Sequence, residues 1–274
     1  VRRRHATLRR LLEGEGDLDL LVKRRDISKF TAVLFQLGFK KVLTQKEMEI
    51  PGILNFYAFD SKPQKFIHVH AHYQLVFGHD LTKNYHLPIE DAYLNSAIRE
   101  GEINIAAPEM ELILFALRMV LKFSAFETLA RSVTGKSKKH SAEIFDELNY
   151  LKTEADDLKL RNALRQHFPM ISWQLFSDCL NSLKPDATIE KRILIRQRLE
   201  KELAVYGRLS RFSEKMTRLI RWFSFMVRRL IIRKKALKKF ENGGALIAII
   251  GGDGAGKTTC VNEIYGWLSK KFET

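Results

Sequence analysis

Cysteine is scarce: only Cys179 and Cys260 occur in 274 residues, far apart and in no metal-binding or redox spacing. A disulfide framework is excluded, and the pattern suits a reducing cytoplasm. No run approaches the ~20 apolar residues that a membrane-spanning helix needs, and the start at Val1, Arg2, Arg3 and Arg4 has no apolar signal region. Internal repeats and low-complexity tracts are missing too. Acidic residues nearly vanish between 191 and 240, where seventeen Lys and Arg face only Glu200, Glu202 and Glu214. That segment carries almost all of the net charge of +15, so a basic stretch is attached to an otherwise near-neutral chain. With 45% hydrophobic and 29% charged residues, the composition is that of a globular chain with room for one or two domains.

Residues 17–22 read as a strand and 26–38 as a helix ending at Gly38. Strand-like stretches near 39–48, 53–60 and 65–77 are separated by Pro51 and Gly52 and by a turn at 61–64, which predicts an antiparallel meander. From residue 88 the pattern is helical. Pro108 suits a first helical turn, and Met110, Ile113, Leu114, Leu117 and Leu121 form one apolar stripe. Further helices are expected near 141–152, 155–167, 170–183 and 187–206, then a long basic helix over 208–240 closed by Asn242, Gly243 and Gly244. The organisation that follows is an α+β domain over 1–87, a helical region over 88–207, a basic linker helix over 208–243 and a last piece over 244–274.

The last piece holds the sharpest signal. An apolar run from Ala245 to Ile250 leads into Gly251, Gly252, Asp253, Gly254, Ala255, Gly256, Lys257, Thr258 and Thr259. A helical pattern continues through Val261, Ile264, Tyr265 and Leu268. This is the G-x-x-x-x-G-K-T spacing set between a strand and a helix. Its glycines let backbone N–H groups close around phosphate oxygens without a Cβ in the way, and the helix adds its positive end to the same anion. Lys257 is placed to reach the β- and γ-phosphates of ATP, and the Thr258 hydroxyl to ligand Mg²⁺. The plain alternative is a structural glycine-rich turn.

Residues Gly251 to Thr259 resemble the phosphate loop of thymidylate kinases and related nucleoside-monophosphate kinases. The resemblance implies a P-loop kinase domain, ATP-dependent phosphoryl transfer, and a place for Asp253 beside the sugar of the acceptor nucleotide. Such a kinase needs a sheet, an acceptor pocket and a lid after the loop, and a domain is typically at least ~100 residues. The chain begins without Met and stops at Thr274, so it is expected either to be a fragment of a longer protein or to retain the start of a kinase without its activity, and to be inactive as a kinase by itself.

Gly16, Asp17 and Asp19 open the first strand. Residues two apart share a strand face, so both carboxylates project together. They repel unless a cation lies between them, and hard oxygens suit Mg²⁺, which makes Asp17 and Asp19 candidate catalytic metal ligands for nucleotide chemistry. Short polar residues facing solvent are the plain alternative. The Gly-Asp-x-Asp strand, helix and meander resemble the minimal polymerase-beta-like nucleotidyltransferase fold. The whole order resembles a bacterial two-part family that sets such a domain before a thymidylate-kinase-like loop. That resemblance implies Mg²⁺-dependent nucleotidyl transfer. The chain departs from it twice: Glu13, Gly14, Glu15 and Gly16 stand where a Gly-Ser pair is expected, and His68 stands about where a third carboxylate is expected. His68, His70 and His72 share one strand face, where alternating polar residues also fit a solvated sheet surface. Imidazole favours Zn²⁺ and other transition metals over Mg²⁺.

The basic helix mixes Arg211, Lys215, Arg218 and Arg221 with Phe212, Leu219, Ile220, Trp222 and Phe223. Packing of its apolar side on the helical region, contact with an anionic membrane surface, and contact with nucleic acid are three readings, and no nucleic-acid-binding motif accompanies the charge. The expected whole is an α+β nucleotidyltransferase-like domain with an antiparallel meander, a helical middle region, and the first strand, P-loop and helix of an α/β kinase domain. The expected function, in the full-length protein, is an ATP-binding phosphotransferase acting on a nucleotide-like or sugar-like acceptor. Nucleotidyl transfer at Asp17 and Asp19 is the alternative, as is a non-catalytic nucleotide-binding or membrane-associated module.

Overall fold

A computed structural model of the chain describes residues 17–44, 49–61, 65–101, 103–123, 136–227, 238–241, 243, 248–269 and 272. The stretch 13–16, the parts of the expected strands at 45–48 and 244–247, and the part of the expected basic helix at 228–237 lie outside the described residues. Two units emerge, one of residues 1–73 with 219–274 and one of 74–218. The architecture is α+β, with a mixed five-stranded sheet and several helices.

Alternation of leucine and aspartate builds strand β1 (Asp17–Leu21), which puts Leu18 and Leu20 on one face and both carboxylates on the other. Helix α1 (Ile27–Gln36) follows and stops at Gly38, whose φ of +85° closes the turn while the Phe39 N–H returns to the Leu34 carbonyl. Strands β2 (Lys40–Leu43), β3 (Ile53–Asp60) and β4 (Lys65–His72) pair in antiparallel succession, which is the expected meander. β1 then adds to β4 in parallel, with Asp17 opposite His68 and Asp19 opposite His70. Leu34 of α1 packs with Phe56, Val69 and Ala71 on the leucine face. Fully burying side chains such as Phe56 and Val69 contributes about 1.5–3 kcal/mol each.

The stretch expected as one strand over 65–77 is divided. β4 ends at His72, the Tyr73 N–H closes onto the Gly52 carbonyl at 2.8 Å, and β5 (Leu75–Phe77) pairs instead with β6 (Tyr85–Leu87) in the second unit. Helix α2 (Glu90–Asn95) is short, because a hairpin of β7 (Ile98–Glu100) and β8 (Ile103–Ile105) interrupts the expected helical run. Its turn uses Gly101 at φ +65°. Helix α3 (Pro108–Lys122) is the centre of the unit and all five residues of its predicted stripe are buried. Around it pack α4 (Lys136–Glu154), α5 (Asp157–His167), α6 (Trp173–Ser182) and α7 (Ile189–Glu202). Asp156, Ser172 and Thr188 cap the last three, each side chain accepting from a first-turn N–H.

Within the segment expected as one helix over 208–240, the described helix α8 covers Arg211–Val227, and 208–210 and 238–240 are not helical. Farther on, Lys239–Phe240 forms β9, antiparallel to β2, so the sheet runs β1-β4-β3-β2-β9. Phe240 packs on Phe272 with ring centroids 4.8 Å apart, and that apolar contact at the sheet edge overrides the helical pattern of the basic run. On α8, Phe212, Leu219, Ile220 and Phe223 are exposed, and the buried residue is Glu214. Helix α9 (Lys257–Leu268) follows the glycine loop. Among the described residues before that loop, 248–250 are not in a strand, and Ile250 is 93% exposed. No described strand lies beside them to give a ladder or a core. Among the described residues, no helix is long and apolar enough to cross a membrane.

Candidate functional site

Two constellations of predicted site residues occur, both in the first unit. One lies on the sheet face opposite α1. Period two brings Asp17 and Asp19 of β1 and His68, His70 and His72 of β4 to that face, and the parallel register sets them side by side. The His68 Nδ1–H donates to Asp17 at 2.8 Å, and the His70 Nδ1–H donates to Asp19 at 3.0 Å. The His72 Nε2 lies 3.6 Å from the same Asp19 oxygen. Both carboxylates are exposed, whereas His68 is buried. Burial, aided by the charges of His70 and Lys238 and opposed by Asp17, pushes the His68 imidazole down to about 4. His70 and His72 hold the Asp19 carboxyl well below the usual carboxylate range, against the opposing effect of its partial burial.

Sequence reasoning missed three neighbours. Tyr57 lies opposite His68, and Asn55 opposite His70, on β3. Period two through the meander, read with the strand pairing, was the available signal. The Asn55 side-chain oxygen is 3.3 Å from the His68 Nε2. Lys238 carried no signal at all, being 170 residues from His68, yet its ammonium is 3.1 Å from the same nitrogen and donates to the Tyr57 hydroxyl at 2.8 Å. Burial and the Asp17 charge push the Tyr57 phenol up to about 12. The residue opposite Asp17 on β4 is His68, an imidazole and not a carboxylate.

The other constellation is the loop of Gly251, Gly252, Asp253, Gly254, Ala255 and Gly256 with Lys257, Thr258 and Thr259 at the start of α9. The loop is exposed, and Gly254 and Gly256 adopt φ of +78° and +74°, a region costly for other residues. The Lys257 ammonium folds back across it and donates to the carbonyls of Gly251 at 2.8 Å and Gly252 at 2.6 Å, with Asp253 at 3.9 Å. Gly256 precedes α9 without any side-chain cap, so the helix begins with no side-chain acceptor on its first amides. At its other end, Trp267 stacks on Phe66 of β4 with centroids 4.6 Å apart, and Phe272 meets Tyr57 edge-on at 5.2 Å. The loop's helix therefore packs on the sheet face that carries the aspartates and histidines.

Compared with known proteins, the chain matches no family model, no curated protein and no solved structure.

Proposed function

We propose that the loop Gly251 to Thr259 binds the phosphates of a nucleoside triphosphate such as ATP. In the full-length protein this binding serves phosphoryl transfer to a nucleotide-like or sugar-like acceptor, in the manner of thymidylate kinases. The observation that carries the reading is the Lys257 ammonium held across the loop by the Gly251 and Gly252 carbonyls, at the uncapped start of a twelve-residue helix. The residues fit the ligand. A Cβ placed on Gly252, Gly254 or Gly256 meets nothing within 4 Å, so the loop keeps open space beside its backbone. The first-turn amides of α9 and Lys257 supply positive potential for an anion. Thr258, exposed in that turn, is the residue that would hold Mg²⁺, and the ion would neutralise charge between the β- and γ-phosphates. Asp253 is assigned to the acceptor side. Calorimetric titration of the full-length protein with ATP and Mg²⁺ tests the reading: saturable binding is expected, and no heat of binding contradicts it.

Nucleotidyl transfer at Asp17 and Asp19 is the second reading, favoured by the acidic strand beside an antiparallel meander. The donors do not fit its Mg²⁺. Mg²⁺ takes oxygen ligands in near-octahedral array, and the groups nearest both carboxylates are imidazoles. No transfer step is therefore assigned to this face. Peripheral contact of α8 with an anionic membrane is a further proposed partnership, supported by its exposed aromatic residues beside Arg218 and Arg221. Nucleic acid is the weaker alternative for the same charge.

A further inference from the structure

We infer that Asp19, His70 and His72 form a binding site for a transition-metal dication of the Zn²⁺ class, with a coordination position left open to solvent. The inference is independent of the phosphate loop. One ligand atom from each of the three residues lies within 4.8 Å of the others. Ligand atoms around a tetrahedral ion with bonds of ~2.0–2.1 Å are spaced by roughly 3.3–3.4 Å. The two measured edges from the Asp19 oxygen, 3.0 Å to His70 and 3.6 Å to His72, bracket that spacing. Two of the three edges are therefore close to that spacing, and the third, between the two imidazoles, is no longer than 4.8 Å.

Two imidazoles and one carboxylate select the metal. Imidazole suits Zn²⁺, Cu²⁺, Ni²⁺ and Fe²⁺, and a two-histidine, one-carboxylate set with free positions is a transition-metal arrangement. One carboxylate against a dication leaves a net positive centre, so the open position takes water or an anion. A merely solvated polar face explains less. The side chains of His70 and His72 are each only 27% exposed, which removes much of their water without burying them in apolar surroundings. An ion compensates that loss and balances Asp19.

The same face offers a second triad, Asp17, His68 and His70. It is the poorer site. The His68 Nε2 faces the Lys238 ammonium at 3.1 Å, which sets a positive charge beside any ion held there. His68 instead acts as a positioning residue. It lies flat on Tyr57, and its edge meets His70 with centroids 4.0 Å apart, which limits rotation of the His70 ring.

Titration of the full chain with Co²⁺, read by its visible ligand-field absorption, tests the site. One ion per chain is expected, with the low-symmetry bands of a four- or five-coordinate ion. Stoichiometric Zn²⁺ should displace it, and a large excess of Mg²⁺ should not. His72→Ala and Asp19→Asn should each weaken Co²⁺ binding by more than the roughly tenfold cost of losing an outer-sphere contact. His167→Ala, far along the chain on α5, should leave binding unchanged. Absence of the bands, displacement by equimolar Mg²⁺, or unaltered binding in a folded His72→Ala protein overturns the proposal. Loss of the bands in His68→Ala but not in His72→Ala overturns the choice of triad. The wild-type Zn²⁺-against-Mg²⁺ competition decides the metal class even where a variant unfolds.

Discussion

Tyr57 lies flat against His68, with ring centroids 4.1 Å apart and planes 11° from parallel. The pair joins two layers. On one side His68 reaches Asp17, and on the other Tyr57 and Phe66 carry the aromatic contacts of Phe272 and Trp267. Tyr57→Ala removes the ring from this stack and should destabilise the first unit by about 3–5 kcal/mol, as large aromatic truncations do. Tyr57→Phe keeps the ring and loses only the hydroxyl that accepts from Lys238, at a cost of roughly 0.5–1.5 kcal/mol. Urea denaturation of both variants checks the ordering; equal losses would mean that stacking contributes nothing.

Glu214 is buried at the start of α8 and accepts from the Thr82 hydroxyl at 3.0 Å. The Asn84 side chain lies nearby and ties the same turn down by donating to the Leu209 carbonyl at 3.1 Å. Glu214→Ala strands the buried Thr82 hydroxyl, which costs about 1–3 kcal/mol. Thermal unfolding followed by circular dichroism should show a lowered midpoint, whereas replacing the exposed neighbour Lys215 should leave it in place.

The two thiols should behave as opposites. Burial pushes the Cys179 thiol up to about 12, while Cys260 is exposed. A thiol reagent at neutral pH should therefore modify one cysteine per native chain and two per unfolded chain, counted by mass. The linkage has a definite sign. Cys179 holds its proton in the folded chain at pH values where the unfolded thiol has lost it, so its contribution to stability is present below pH 9 and falls as pH rises from about 9 toward 12.

Helix α8 presents Phe212, Leu219, Ile220 and Phe223 to solvent along with its arginines. Sedimentation with vesicles should recover the protein on anionic lipid and release it as salt rises, because surface attraction decays over about 8 Å at physiological ionic strength. Equal recovery on neutral vesicles, or none on either, would dismiss the electrostatic contact.

Patterns that repeat locally were legible in the chain. The stripe after Pro108 foretold α3, Gly38 foretold the end of α1, and alternation through β2, β3 and β4 foretold the meander. The β7–β8 hairpin hid inside a helical reading although Gly101 marks its turn. β9 hid inside a basic run because Phe240 is drawn to the sheet edge by Val42 and Phe272, partners distant in sequence. At the candidate sites, the shared face of Asp17 and Asp19 followed from period two alone. The pairing of Asp17 with His68 required a parallel register between strands about fifty residues apart, which no local pattern encodes. Lys238 reaches His68 from farther still. The loop residues were legible as a motif, but the strand expected just before them depended on neighbours that the described residues do not supply.

Calorimetric titration of ATP with Mg²⁺ into the full-length protein and its Lys257→Ala variant separates a phosphate-binding loop from a structural glycine turn. Lys257 bonds the carbonyls of its own exposed loop, so its removal should leave the melting temperature unchanged. Saturable binding that weakens at least tenfold in the variant, a loss of about 1.4 kcal/mol, is the expected result. Equal affinity in the two proteins would contradict it.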